Sequence, residues 1–109
     1  MSRAKGDKAE AEAIRFLQQK GFVIVESNFY SRFGEIDIIA SIDGVLHFIE
    51  VKSGLDYESA IRNITPSKLQ KILKTAQVYL KKNALDVEYT FDAVIVTPDD
   101  IEIIEDITF

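Results

Sequence analysis

The chain has 109 residues, of which 47% are apolar, and it contains no cysteine. This length is enough to bury a core without disulfides, and the lack of cysteine excludes disulfides, thiolate nucleophiles and zinc–thiolate sites. The N-terminus has no apolar signal-peptide core, and no run approaches the roughly 20 apolar residues of a membrane span. We therefore expect one cytoplasmic domain over residues 1–109, with no membrane partner.

The formal net charge is −5, but the charges are unevenly distributed. All 13 lysines and arginines lie in residues 1–85, whereas residues 86–109 carry eight acidic residues and no basic one. A face formed by the first 85 residues can still attract phosphates, although the signal is weaker than in a basic protein. A solvated surface of mixed charge explains the charge pattern equally well.

The apolar pattern predicts the element order α-β-β-β-α-β-β. The first helix is expected from about Asp7 to Lys20, with Gly21 as its stop. Three strands follow, beginning with "FVIVESNFY". A loop around "GLDYESAIRN" precedes a second helix, which Thr65 caps and Pro66 begins. The strands "EYTFDAVIV" and "IEIIEDI" end the chain. The expected buried residues of the helices are Ala9, Ala13, Ile14, Phe16 and Leu17, then Leu69, Ile72, Leu73, Ala76 and Leu80.

The dipeptide Asp43-Gly44 is a strong signal for a β-hairpin, because both central residues of a type I′ turn need positive φ. A two-residue loop at this point pairs Ile42 with Val45. The register of the second and third strands then follows along the ladder.

This register sets Asp37 opposite Glu50 and Glu35 opposite Lys52. Like charges opposite each other destabilise a strand pair by about 0.2–1 kcal/mol. A shared proton, Lys52 or a divalent cation bound by carboxylate oxygens could offset this repulsion, and a solvated acidic face is the alternative. One sheet face is expected to carry Glu35, Asp37, Ile39, Phe48, Glu50 and Lys52, and the other Ile36, Ile38, Ala40, His47, Ile49 and Val51.

Two further polar residues have competing interpretations. Glu10 lies on the apolar stripe of the first helix and faces the sheet, but its spacing from Asp7 also fits a capping box. His47, the only histidine, points to the face opposite the acids and is interpreted as a packed or rim residue.

Three segments together resemble a known family: "AEAEAIRFLQQKGF", "NFYSRFGEIDIIA" and "FIEVK". They are similar to the YraN-like family of uncharacterised predicted endonucleases, within the restriction-endonuclease-like nucleases of the PD-(D/E)XK signature, to which archaeal Holliday junction resolvases are related. The similarity includes Lys68, Ile72, Ala76 and Leu80 and extends over most of residues 9–96.

The resemblance implies an α/β restriction-endonuclease-like fold, with a central mixed sheet flanked by helices, as a single nuclease domain over residues 1–109. It also implies metal-dependent hydrolysis of DNA by Mg²⁺ or Mn²⁺, as a structure-selective endonuclease acting on branched or damaged DNA in repair or recombination. DNA is the implied partner, and a homodimer is compatible with the family.

The implied catalytic residues are Glu10, Asp37, Glu50 and Lys52. Asp37 and Glu50 match the two acids of the signature and would hold the metal, with the carbonyl of Val51 as a third ligand. Lys52 matches the lysine of the signature and would orient the attacking water or help to deprotonate it. Glu10 would bind the ion directly or through water, and Glu35 would tune Lys52.

The residues expected to contact the substrate are Asn28, Arg32, Lys68 and Gln77, although the position of Gln77 favours an ordinary helix-surface amide. Two departures from the family pattern, Ser53-Gly54 and Tyr89-Thr90, remove positive charge. Two other functional classes remain open: a non-catalytic nucleic-acid-binding module, with bases stacked on aromatic residues, and a degenerate interaction domain. The stacking residues would be Phe29, Tyr30 or Phe33.

Overall fold

The computed structural model describes the backbone of residues 3–108 and the side chains of residues 8–108. It has a mixed α/β architecture, and the predicted order of elements is confirmed with one addition, the short helix α2. The elements are α1 (Arg3–Gln19), β1 (Val23–Ser31), β2 (Gly34–Ile42), β3 (Val45–Ser53), α2 (Tyr57–Ile61), α3 (Pro66–Lys82), β4 (Tyr89–Val96) and β5 (Ile101–Ile104).

The five strands form one mixed sheet in the order β1-β2-β3-β4-β5. Strand β3 pairs with β4 in parallel, and the other neighbours are antiparallel. The parallel pair requires a crossover connection, which the segment containing α2 and α3 provides. Among the described residues, none of the three helices combines the length and the apolar character needed to cross a membrane.

The helices α1 and α3 cover opposite faces of the sheet, and each buries its own apolar cluster. On the α1 side, Leu17 packs with Ile38 and Ile49. On the α3 side, Ile72 packs with residues that include Ile39 and Phe48. Because side chains alternate along a strand, neighbouring residues of β2 and β3 supply the two clusters. The predicted faces of the hairpin are therefore confirmed at these positions.

The first helix begins at Arg3, about one turn before the predicted start. Asp7 consequently lies inside the helix, so it is not the N-cap, and its side chain lies outside the described residues. The predicted end is confirmed. Gly21 follows the last turn, where the N–H of Phe22 donates to the carbonyl of Leu17 at 3.0 Å, the pattern that closes many helix C-termini.

The hairpin turn has the predicted geometry. Asp43 and Gly44 have φ values of 52° and 79°, as a type I′ turn requires, and Ile42 pairs with Val45. The β2–β3 register then runs back to the pair Ile38–Ile49.

The expected position of Ile36 is wrong. Ile36 is buried in the α3-side cluster with Phe29 and Ile39, not on the α1 side with Ile38. The alternation of β2 is therefore interrupted at Asp37. This irregularity lies opposite Asn28 of β1, whose positive φ of 55° departs from ordinary strand geometry.

Helix α3 begins as predicted, with the Thr65 hydroxyl accepting a hydrogen bond from the N–H of Lys68 at 3.2 Å and Pro66 in the first turn. Its predicted apolar stripe is buried, except that Leu73 is only partly buried. Thr75 and Tyr79 are buried as well. The unpredicted helix α2 has Asp56 as its N-cap, with a carboxylate oxygen 2.8 Å from the N–H of Ser59.

Candidate active site

Three carboxylates from two elements converge at one end of the β2–β3 hairpin. One carboxylate oxygen each from Glu10 of α1 and from Glu35 and Asp37 of β2 lie within 4.8 Å of one another. We call these three residues the carboxylate cluster. All three are partly buried. The prediction that Glu10 projects from its helix toward Asp37 is therefore confirmed.

Glu50 and Lys52 of β3 extend this arrangement. The Glu50 side chain lies close enough to the Asp37 carboxyl group to raise its pKa, and the Lys52 Nζ lies 3.9 Å from the Glu50 Oε2. The side chains of Lys52 and Glu50 are only 23% and 14% exposed, so solvent weakens their interaction less than it would at the surface. The four predicted catalytic residues therefore lie together at one site.

The backbone around the acids differs from the prediction in one respect. The β2–β3 register ends at Ile38–Ile49 and does not include the expected pairs Asp37–Glu50 and Glu35–Lys52. Instead, the N–H of Val51 donates to the Asp37 Oδ2 at 2.7 Å. A side-chain oxygen has replaced the strand carbonyl as acceptor, so the acids meet through their side chains.

The environment of Asp37 strongly favours its protonated form. Burial, then the hydrogen bond to Glu50 and the charge of Glu50, raise the pKa of Asp37 from 3.8 to about 8. The Val51 N–H and the charge of Lys52 act in the opposite direction but are weaker. Without a cation, the site therefore favours a proton on Asp37, which is one of the three expected ways to relieve the repulsion.

Glu35 has an oxygen that the surrounding residues leave unsatisfied. Its Oε2 is buried and has no hydrogen-bond partner among the described residues. A buried polar atom without a partner costs about 1–3 kcal/mol, and more when it is charged. A bound cation would remove this cost, because hard divalent ions such as Mg²⁺ and Mn²⁺ prefer carboxylate oxygens. The donor set of the carboxylate cluster therefore fits such an ion.

The structure changes the interpretation of Glu35. The sequence assigned it to Lys52 as a tuning group and assigned the metal to Asp37, Glu50 and Val51. The coordinates place Glu35 in the cluster with Asp37. Regular alternation along β2 does not explain this placement, because it is interrupted at Asp37.

The carboxylate cluster lies in an open cleft with a volume of about 330 Å³. Its lining combines acidic groups with lysines from β3 and α3. Lys68 was predicted, whereas Lys71 was missed, although it follows Lys68 at helical spacing. Such a cleft can bind a cation and an anionic ligand together. Its lining residues include Glu10, Glu35, Asp37, Glu50, Val51, Lys52, Lys68 and Lys71.

The other residues predicted to bind substrate do not line this cleft. Asn28 lies in β1 opposite the irregularity of β2. Arg32 is exposed in the turn between β1 and β2. Gln77 is exposed farther along α3, where its Nε2 donates to the Tyr89 hydroxyl at 3.1 Å, so it fits the interpretation as a helix-surface amide.

His47 lies on the sheet face that carries Ile49, as predicted, and it is packed there beside Phe22. It is buried, its ring meets that of Phe22 edge to face at 5.0 Å, and its Nδ1 contacts the Oδ2 of Asp92. Asp92 is fully buried and also accepts a hydrogen bond from the N–H of Asp106 at 2.9 Å. The sequence did not predict this pair, which fixes the C-terminal segment rather than the cleft.

Fold and site together define a mixed α/β protein with a carboxylate cluster in a lysine-lined cleft. The chain belongs to the uncharacterised protein family UPF0102, whose family model matches residues 9–96. This confirms the YraN-like resemblance at the level of the family.

Similar proteins, each named as a UPF0102 protein, occur in several bacteria. The chain is 63% identical over 108 residues to one from Sulfurimonas denitrificans and 53% identical over 109 residues to one from Aliarcobacter butzleri, with 99% of both chains covered in each case. It is 54% identical over 107 residues to one from Helicobacter pylori, covering 98% of this chain and 93% of the relative.

Proposed function

We propose that this protein is a Mg²⁺- or Mn²⁺-dependent endonuclease that hydrolyses phosphodiester bonds in DNA, with a preference for branched or damaged structures. Within this proposal, the sheet and its flanking helices represent a restriction-endonuclease-like fold. Asp37, Glu50 and Lys52 take the positions of the two acids and the lysine in the PD-(D/E)XK signature.

The observation that carries the proposal is the convergence of Glu10, Glu35 and Asp37 beside Lys52. In a merely solvated acidic face, or in an interaction domain that has lost its site, we would expect the acids to disperse into surface ion pairs. Here they point into one cleft, and the buried Glu35 Oε2 has no partner among the described residues. This arrangement leaves a repulsion that a divalent ion would relieve.

Hydrolysis forms a bond from a water oxygen to phosphorus and breaks the bond to the leaving oxygen. The water loses a proton, and the leaving oxygen gains one. Glu10, Glu35 and Asp37 would hold the divalent ion, which supplies charge stabilisation and lowers the pKa of water. Lys52, held close to Glu50, would orient the attacking water and stabilise the charge on the phosphate as an ammonium group. The proton of the water would pass to solvent, since the ion makes this proton more acidic. Lys68 and Lys71 would contact the phosphodiester at the rim of the cleft.

The proposal is tested by a cleavage assay on a panel of linear, nicked, flapped and four-way DNA, with Mg²⁺ or Mn²⁺. We expect the wild type to cut at least one branched substrate, and Asp37→Ala and Lys52→Ala each to lose most of this activity. Glu58→Gln, which removes one exposed acid of α2, should retain it.

Cleavage that survives Asp37→Ala would point to a contaminating nuclease and contradict the proposal. Binding of DNA without cleavage by any metal would favour the non-catalytic module. RNA of the same sequences, tested in parallel, reports whether the activity requires DNA.

A further inference from the structure

The turn between β1 and β2 is attached firmly to α3. The Ser31 and Thr75 hydroxyl oxygens lie 2.8 Å apart, and Thr75 is fully buried. The next strand begins at Gly34, where a Cβ atom would lie 3.4 Å from the Cβ of Lys71. The turn therefore lies directly against the helix. The position of the turn relative to the cleft is fixed by packing and by a hydrogen bond.

This turn brings two cations to one aromatic ring. The Arg32 guanidinium lies 4.8 Å from the centre of the Phe33 ring, and the Lys74 Nζ lies 5.6 Å from it. Both cations are exposed, whereas Phe33 is partly buried. Cation–π attraction to the ring favours positions of both cations beside the turn, where their exposed charges are available to an anionic ligand.

Helix α3 connects this pair to the cleft. Its sequence contains five lysines and no acidic residue. Lys68 and Lys71 line the cleft, and Lys74 lies about one helical turn beyond Lys71. A positive edge therefore runs from the carboxylate cluster to Phe33. The acids in the cleft repel a phosphate when no cation is bound, so an attachment point outside them adds affinity that does not depend on the metal.

We propose that Arg32 and Lys74, held in place by Phe33, form a phosphate subsite that binds the nucleic-acid backbone next to the phosphodiester bond in the cleft. The subsite deepens the proposed function and rests on it, since it assumes a phosphodiester bound at the carboxylate cluster. Arg32 and Lys74 contact the substrate in this arrangement. Phe33 is a positioning residue, because it acts through the two cations.

The subsite is tested by binding a labelled oligothymidylate to the Asp37→Asn protein, on which turnover does not interfere. In this background, the subsite variant combines Arg32→Ala with Lys74→Ala. The control variant combines Lys81→Ala with Lys82→Ala, which remove the same amount of charge from the last turn of α3. Each lost phosphate contact lowers the slope of log affinity against log salt by about 0.7 for a single strand. We expect a loss of about 1.4 for the subsite variant and little change for the control.

The inference is overturned if the Asp37→Asn protein does not bind oligothymidylate, if the subsite variant keeps its affinity and slope, or if the control variant loses as much. The role of Phe33 has a separate readout. Phe33→Leu keeps an apolar side chain but loses the π face, so affinity should fall by about two- to fivefold, and Phe33→Tyr should restore it. Equal affinity in all three proteins would exclude the positioning role.

Hydrolysis rates on a short and a long substrate distinguish a failure of the subsite from a failure of the proposed function. A dinucleotide has a single phosphodiester bond and cannot occupy the cleft and the subsite together. The substitutions Arg32→Ala and Lys74→Ala should therefore lower kcat/KM for an oligonucleotide by a larger factor than for the dinucleotide, and an equal loss on both substrates would contradict the subsite. If the wild type hydrolyses neither substrate, the proposed hydrolysis fails, and the binding series still decides whether the subsite exists.

Discussion

The backbone N–H of Val51 donates a hydrogen bond to the Asp37 Oδ2 at 2.7 Å, just beyond the last residue pair of the β2–β3 ladder. At this point the acceptor of the hydrogen bond between the two strands changes from a main-chain carbonyl to a side-chain carboxyl group. A carboxyl group that serves as a strand acceptor cannot turn away from the cleft without losing this bond. The hydrogen bond therefore fixes the orientation of Asp37 and links its protonation to the stability of the fold.

The metal-free protein should become less stable as the pH rises toward 8. The pKa of Asp37 is raised from 3.8 to about 8 in the folded protein, chiefly by burial. Between these values the folded protein holds a proton that the unfolded chain has lost. The resulting stabilisation is complete below about pH 4 and disappears as the pH rises through about 8. Urea unfolding between about pH 4 and pH 8, in the presence of a chelator, measures the free energy of unfolding.

The variant Asp37→Asn isolates this contribution. An amide resembles the protonated carboxyl group, since its oxygen can accept from Val51 and its nitrogen can donate to Glu50. The variant should be as stable as the wild type or more stable without metal, with the advantage largest above about pH 8. Asp99→Asn, on the exposed turn after β4, should follow the wild-type pH profile. A wild-type profile for Asp37→Asn would contradict the raised pKa.

Divalent ions should stabilise the wild type, and the affinity of the protein for these ions should increase as the pH rises. Binding must displace the proton of Asp37, so affinity should weaken up to about tenfold for each pH unit below about 8. Mass action gives about 2.7 kcal/mol of stabilisation at 100 times the Kd. Thermal melts with Mg²⁺ or Mn²⁺ and calorimetry in buffers of different ionisation enthalpy measure both effects.

The control for metal binding comes from the same helix as Glu10. Glu12→Gln removes an acid of α1 that lines a different cleft, so its response to metal should match that of the wild type. Glu35→Gln and Asp37→Asn should lose most of the response. Two results together would show that the cluster is purely structural: the wild type gains no stability at millimolar metal, and Asp37→Asn is less stable than the wild type.

The Ser31–Thr75 hydrogen bond should contribute measurably to stability. Thr75→Val keeps the shape of the side chain but removes the hydroxyl, so we expect a loss of about 1–3 kcal/mol. Ser31→Ala should cost more, because Ser31 also accepts a hydrogen bond from the N–H of Phe33 at 3.0 Å. A double-mutant cycle in urea gives the coupling, and purely additive effects would show that the two hydroxyls act independently.

The pair His47–Asp92 should anchor the C-terminal segment. Asp92→Ala leaves His47 Nδ1 and the N–H of Asp106 without their partner, so we expect a loss of about 3–5 kcal/mol. Hydrogen exchange should show that the amide of Asp106 loses its protection. Asp99→Ala serves as the exposed control. A cost below about 1 kcal/mol for Asp92→Ala would mean that other contacts hold the segment, among them the hydrogen bond from the Ile107 N–H to the Phe91 carbonyl at 2.8 Å.

Local signals in the sequence predicted the part of the site that depends on local geometry. Asp43-Gly44 determined the turn and hence the register of β2 and β3 as far as the pair Ile38–Ile49. Asp37 meets β3 just beyond this pair, through the hydrogen bond from the Val51 N–H. The helical spacing of the apolar residues around Glu10 directed that side chain toward the sheet. In each case the backbone geometry follows from residues close in sequence.

Long-range relationships could not be predicted in this way. His47 and Asp92 meet because β3 and β4 pair in parallel across a crossover, and no residue near either one specifies that register. Ile36 was assigned to the wrong face because its alternation is broken at Asp37, opposite Asn28 with its positive φ. Helix α2 is short, and only the spacing of Asp56 and Ser59 signals it.

The two-residue loop at Asp43-Gly44 has an evolutionary consequence for the chain segment between Asp37 and Glu50. A single inserted residue would shift the register by one and exchange the faces of one strand, so Glu50 and Lys52 would point away from Asp37 unless a bulge absorbed the insertion. Two inserted residues would lengthen the hairpin and return both side chains to the cleft. Length changes in this segment should therefore be tolerated in even numbers, a parity rule imposed by the pleat of the sheet.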